Sequence, residues 1–176
     1  MGAMNSARTY APLILTALMS PADFAWANDL RRRHFPPERN VVDAHITLFH
    51  QLPPQYLDDI ERAIAAVIAD NSVPSAMITG LINLGRGVAY RVESPELMAI
   101  REELAERYHG LLTAQDQGRP RLHITVQNKV PPAEARTLFE ALSREFIPRP
   151  LGMTGLALWR YLDGPWEAVR QWRFRR

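Results

Sequence analysis

Two short segments carry the groups best able to do chemistry. His45-Ile46-Thr47-Leu48 lies in the first half of the chain and His123-Ile124-Thr125-Val126 in the second. On an extended strand alternate side chains share a face, so each His projects with its Thr while the aliphatic residues project to the other side. Imidazole has the ordinary pKa nearest neutrality and can give or take a proton there. A Thr hydroxyl can donate to an oxygen on which negative charge is growing. Two imidazoles on opposite sides of one phosphorus make an acid–base pair. One takes the proton of an attacking hydroxyl or water, and the other gives a proton to the departing oxygen. Nothing in that scheme calls for a metal or a cofactor.

The elements around these segments repeat. A buried strand is expected from Tyr10 to Met19. Ser20 then reads as an N-cap and Pro21 as the first helical position, opening a helix to about Arg33 or His34. A strand follows from Val41 to Phe49. Pro53-Pro54 leads into a helix near Gln55 to Asn71, with Leu57, Ile60, Ile64 and Ile68 on one stripe. Strands are expected at Met77 to Leu84 and Val88 to Val92, joined by a turn at Gly85-Arg86-Gly87. Ser94-Pro95 then opens a helix to about His109, a loop with Asp116 leads to a strand from Arg121 to Lys129, and Pro131-Pro132 opens the next helix. Thr154-Gly155-Leu156 starts a strand as Thr79-Gly80-Leu81 does, and a last strand lies near Glu167 to Phe174. Ser20 to Ser94 is 74 positions, His45 to His123 is 78 and Thr79 to Thr154 is 75. This reads as one strand-helix-strand-helix-strand unit used twice, over about 10–86 and 87–174, within a single bilobal domain spanning 1–176.

Composition narrows the classes. The chain has 176 residues, 47% hydrophobic and 23% charged, which suits a folded globular protein. With no cysteine, disulfides and thiolate metal sites are excluded. The formal charge of +2 gives only a weak pull on polyanions, and Lys129 is the one lysine. No stretch is long enough to span a bilayer. Arg8, the apolar run Ala11 to Met19 and Ala25-Trp26-Ala27 imitate a signal peptide, but the repeat makes that run a strand of the fold. Met1-Gly2-Ala3, ahead of a second Met4, is left out of the fold reading. Gly85-Arg86-Gly87 lacks the spacing of a phosphate-binding glycine loop, and no Gly-x-Ser-x-Gly elbow is present.

Strand parity extends the reactive faces. Phe49 shares a face with His45, and Arg121, Gln127 and Lys129 share one with His123. Arg121 and Lys129 suit phosphate, Gln127 is a further candidate for ligand contact, and Phe49 suits stacking on a base. His34 and His109, near helix C-termini, read as structural, and His50 points away from His45. Trp159, Tyr161 and Trp166 could stack nucleobases near the cleft, but aromatics of a terminal hairpin read first as core or edge packing.

The two His-x-Thr-hydrophobic segments, each followed by Pro-Pro and a helix, resemble the motifs of the two-histidine (2H) phosphoesterase superfamily and its LigT-like 2′-5′ RNA ligases and cyclic phosphodiesterases. The likeness implies an α+β fold of two pseudo-symmetric lobes, each an antiparallel β-sheet with flanking helices, around a central cleft. It implies hydrolysis of a 2′,3′-cyclic phosphate or a 2′-5′ phosphodiester, with His45, His123, Thr47 and Thr125 carried over as the catalytic set. The expected partner is an RNA end or a small nucleotide, the expected setting the cytoplasm without a membrane, and the expected state a monomer. His123 is taken as base and His45 as acid, although pseudo-symmetry makes them interchangeable. The flanks depart from the LigT-like pattern: Phe49-His50-Gln51 stands where Phe-Leu-Gly is common, and Gln127-Asn128-Lys129 where Ala-Arg is common. An RNA-end-binding protein with little turnover, an RNA ligase and a phosphodiesterase for a small non-RNA metabolite stand as alternatives.

Overall fold

The computed structural model describes residues 2–175. The first half of the chain gives α1 (Gly2–Thr9), β1 (Leu13–Met19), α2 (Pro21–His34), β2 (Ile46–Leu52), α3 (Leu57–Asp70) and β3 (Ala76–Asn83). The second half gives β4 (Val88–Glu93), α4 (Pro95–Arg107), α5 (Ala114–Gln117), β5 (His123–Gln127), α6 (Pro132–Glu145), β6 (Arg149–Leu151), β7 (Met153–Tyr161) and β8 (Trp166–Arg173). The strands form two four-stranded antiparallel sheets, ordered β2-β1-β7-β8 and β5-β4-β3-β6, with helices flanking them. This is the α+β, two-lobed architecture expected from the sequence.

The lobes are not the two halves of the chain. β3 closes the first repeat yet pairs with β4 of the second, and β7 near the end of the second pairs with β1 of the first. Each sheet is therefore completed by the other half, and the buried apolar residues of both join in one cluster. Local signals explain the helices. The Ser20 hydroxyl accepts from the Asp23 amide at 3.3 Å and the Ser94 hydroxyl from the Leu97 amide at 3.2 Å, each followed by Pro at the first helical position. Ile60, Ala63, Ile64, Val67 and Ile68 bury one stripe of α3. Among the described residues no helix is long and apolar enough to cross a membrane.

Three differences from the sequence reading have local causes. α1 was not expected; it is a helix of small and polar residues, and its Arg8 pairs with Glu167 of β8. β6 is a three-residue strand on the edge of the second sheet, too short for a periodicity to reveal. The repeat is also in a slightly different register. Thr16 lies opposite Thr47 as Ala89 lies opposite Thr125, so the true offset of β1 to β4 is 89 − 16 = 73 positions. The Ser-Pro pairs suggested 74, because the second copy runs five positions from Ala89 to Ser94 where the first runs four from Thr16 to Ser20.

Candidate active site

β2 and β5 are the edge strands of their sheets, and they meet each other where the lobes join. His45 stands one residue before β2 and His123 opens β5. Both rings are held the same way. The Asp43 carbonyl lies 2.7 Å from His45 Nδ1, and the Arg121 carbonyl 2.6 Å from His123 Nδ1. A carbonyl oxygen only accepts, so Nδ1 carries the hydrogen in each ring and Nε2 of the neutral form keeps its lone pair. Each backbone thus aims one free imidazole nitrogen with a fixed tautomer. Burial pushes the His45 pKa down to about 4 despite the hydrogen bond to Asp43, and the charges of Arg31, His123 and His50 push the same way. His45 is therefore neutral at neutral pH, and His123 is near enough for its charge to be felt.

Buried charges fix the two edge strands. Arg101 of α4, 3% exposed, donates from Nε to the Leu48 carbonyl at 3.2 Å and from a terminal nitrogen to the Asp116 carbonyl. Asp116, 1% exposed, accepts from the backbone amides of His50 at 2.9 Å and Gln51 at 2.8 Å, and from His50 Nδ1 at 3.1 Å. Burial alone would raise the Asp116 carboxyl, but the hydrogen bonds from His50 and Gln51 outweigh it and hold it below its ordinary range. Across the cleft Arg31 of α2, also 3% exposed, donates to the Thr125 carbonyl at 2.8 Å and to Asn40 Oδ1 at 3.0 Å. Each motif strand is thus tied to groups supplied by the other repeat, which also blunts its open edge. Asp116→Ala leaves two edge amides of β2 unpaired and is expected to lower unfolding stability by about 2–4 kcal/mol, measured by urea unfolding at pH 7.

Thr47 and Thr125 follow their histidines by two residues and remain half-buried, on the same face as the rings. The outer candidates fare differently. A bulge in the pairing of β1 with β2 falls at Leu48, between Thr47 and Phe49, and one in the pairing of β4 with β5 falls between Thr125 and Gln127. Each reverses the alternation beyond the motif. Phe49 is consequently fully buried beneath the Arg101 guanidinium, 4.4 Å from its ring centre, and does not face the cleft. Gln127, at the matching position, is 3% exposed and opposite Val88, with its Oε1 buried and unpartnered. Lys129 lies past the end of β5 in a turn with φ of 63°, off the strand that carries His123. Only Arg121 stays beside its histidine, exposed and supplying the carbonyl that holds the ring. His50 is tied to Asp116, and burial together with Arg33 lowers the pKa of His34 at the end of α2.

Two further features stand beside the motif residues, and the first, Arg91, escaped the sequence. Arg91 of β4 is the cross-strand partner of His123, so the two side chains share a face with their Cβ atoms about 5 Å apart. Its other partner is Gly80; a Cβ there would already touch Arg91 Nη1 at 3.5 Å, so a larger residue would displace the guanidinium. The repeat could not have located this arginine, because the matching position of β1 is Leu18. The second feature is aromatic. Trp159 and Trp166, expected in the core, instead stand half-exposed in a cavity of about 440 Å³ lined also by Thr16, Phe24 and His45. The Trp166 ring lies 4.6 Å from the His45 ring, at 54°. Among the described residues no group of three or more His, Cys, Asp or Glu side chains is placed to hold a metal ion.

The same fold is found in solved structures. TT0787 of Thermus thermophilus superposes with a TM-score of 0.63 at 17% identity, covering 93% of this chain and 98% of that one. A protein described as a phosphoesterase gives a TM-score of 0.55 at 18% identity, covering 94% and 99%. Escherichia coli LigT complexed with 3′-AMP gives 0.51 at 16%, covering 95% and 99%. No curated protein matches the chain in sequence. The family model for the 2′-5′ RNA ligase superfamily matches residues 19–165, from the end of β1 to the turn before β8 and through both His-x-Thr segments. The chain therefore belongs to the 2′-5′ RNA ligase superfamily, the LigT-like branch of the 2H phosphoesterases.

Proposed function

We propose that this protein is a metal-independent phosphodiesterase that hydrolyses a 2′,3′-cyclic phosphate or a 2′-5′ phosphodiester in RNA or a nucleotide. The observation that carries the reading is the matched pair of imidazoles, each with Nδ1 held by the carbonyl two residues back and Nε2 left free. In hydrolysis one Nε2 takes a proton from water as the oxygen–phosphorus bond forms. The other gives a proton to the ribose oxygen as its bond to phosphorus breaks. The pair begins and ends with one proton, so the site resets by exchange with solvent. Thr47 and Thr125 donate to non-bridging oxygens, and Arg91, beside His123, balances the phosphate charge. The complex of LigT with 3′-AMP supports a nucleotide as the ligand.

Two expectations arise directly. The pair works with a single proton, and the second is resisted down to about pH 4 by the burial of His45. The acid limb of kcat/KM, which reports the free enzyme, is therefore expected near pH 4, not near 6.5 where an ordinary histidine titrates. Arg91→Ala is expected to raise KM for a cyclic nucleotide by about 10-fold, with Arg91→Lys recovering part of the loss, because one charge-assisted contact is removed or reduced. The function is tested by incubating the protein, with a chelator present, with nucleoside 2′,3′-cyclic phosphates, 2′-5′-linked dinucleotides and tRNA half-molecules. Release of monoester or nucleoside supports the reading. Joining of the halves would assign the ligase reaction, and tight binding without turnover would assign an RNA-end-binding role.

A further inference from the structure

We infer that the cavity beside His45 is a nucleobase subsite, in which a flat heterocycle lies against the indoles of Trp159 and Trp166 with its polar edge toward Gln171 and Arg173. This rests on the phosphoester reading of the adjoining cleft and adds what the substrate must carry. The cavity, about 440 Å³, lies within the roughly 300–1,000 Å³ range of small-ligand pockets. Its walls are aromatic and fixed. Trp159 Nε1 donates to Thr16 Oγ1 at 2.9 Å, anchoring one indole by its edge and leaving its face to the cavity. The two indoles have centroids 6.0 Å apart at 51°, too oblique and too close to sandwich a ring between them. They form a corner that presents a face to one planar guest. Phe24, 38% exposed, stands on the α2 side of the same cavity. Gln171 and Arg173 of β8 are exposed and line it, offering an amide and a guanidinium to ring nitrogens and carbonyls. A saturated chain would make no use of these donors, whereas a base uses both its face and its edge. Because the Trp166 ring lies 4.6 Å from that of His45, a base in this corner lies beside the reacting phosphate.

The test compares kcat/KM for adenosine 2′,3′-cyclic phosphate with that for ribose 2,3-cyclic phosphate lacking a base. The native protein is expected to favour the nucleotide by about 10- to 100-fold, the usual worth of one base–aromatic stack. That ratio should fall toward one in Trp159→Ala and be largely kept in Trp159→Phe, which guards against a merely misfolded variant. Equal rates on the two substrates in the native protein would overturn the subsite and leave the phosphodiesterase reading standing. So would a preference for a simple alkyl ester of the same phosphate. Absence of turnover on both would overturn the phosphodiesterase reading instead. The subsite is then decided by tryptophan fluorescence: quenching by 2′-AMP but not by ribose 5-phosphate supports it, and equal or absent quenching overturns it.

Discussion

His45→Ala and His123→Ala are each expected to lower kcat/KM for a cyclic phosphate by about 10²–10⁴-fold, the usual worth of a positioned general acid or base. The double variant should be little worse than either single one, because an acid without its base cannot complete the displacement. The fold should survive. Neither ring belongs to the apolar core, and their only hydrogen bonds among those described join Nδ1 to a nearby carbonyl at a strand entrance. Losing such a bond costs about 1 kcal/mol, so unfolding curves should barely move while activity collapses. Asparagine is a sharper probe than alanine, since its amide can still donate to the same carbonyl but cannot carry a proton at neutral pH. Additive losses in the double variant would mean that the two rings do not share one reaction.

Thr47→Val and Thr125→Val are expected to reduce kcat by about 10²–10³-fold each, the range seen when one donor to a developing oxyanion is removed. Valine keeps the branched shape and the strand preference of threonine, so the change isolates the hydroxyl. KM should change less than kcat if the hydroxyl bonds more strongly to the transition state than to the bound ester. Thr→Ser at either site should keep most of the activity. The two sites also differ. Thr47 is flanked on β1 by Thr16, whose hydroxyl is already engaged by Trp159, whereas Thr125 is flanked by Ala89. A larger loss at Thr125 than at Thr47 would show that the phosphate leans toward the second lobe, where Arg91 stands.

The repeat was legible because it is written in residues with local meaning. Ser-Pro and Pro-Pro start helices wherever they fall, and His-x-Thr on a strand sends both polar groups to one side. Those signals were enough to place the helices and the strands that carry the two His-x-Thr segments, and the two antiparallel sheets were implied by the resemblance that those segments support. What they could not show is the exchange of β3 and β7 between lobes, since pairing between distant strands leaves no local trace.

The outer site residues were misplaced for a related reason. Alternation is a sound guide until a bulge interrupts it, and here a bulge follows each motif at the same place. One extra residue turned Phe49 and Gln127 from the cleft into the interior. The same pseudo-symmetry that revealed the motifs thus repeated the error in both. Arg91 was missed because it acts from the neighbouring strand. Trp166 was ranked as packing before stacking, because nothing local to a hairpin aromatic shows that its neighbour is His45.

The most direct test is the position of a phosphate in a crystal of the protein with a nucleoside 2′- or 3′-monophosphate. Phosphate oxygens are expected within hydrogen-bonding distance, about 3 Å, of Nε2 of both His45 and His123, with the Thr47 and Thr125 hydroxyls on the remaining oxygens. A nucleotide whose phosphate lies beyond the reach of either imidazole, or which meets the rings through Nδ1, would contradict the paired-imidazole mechanism.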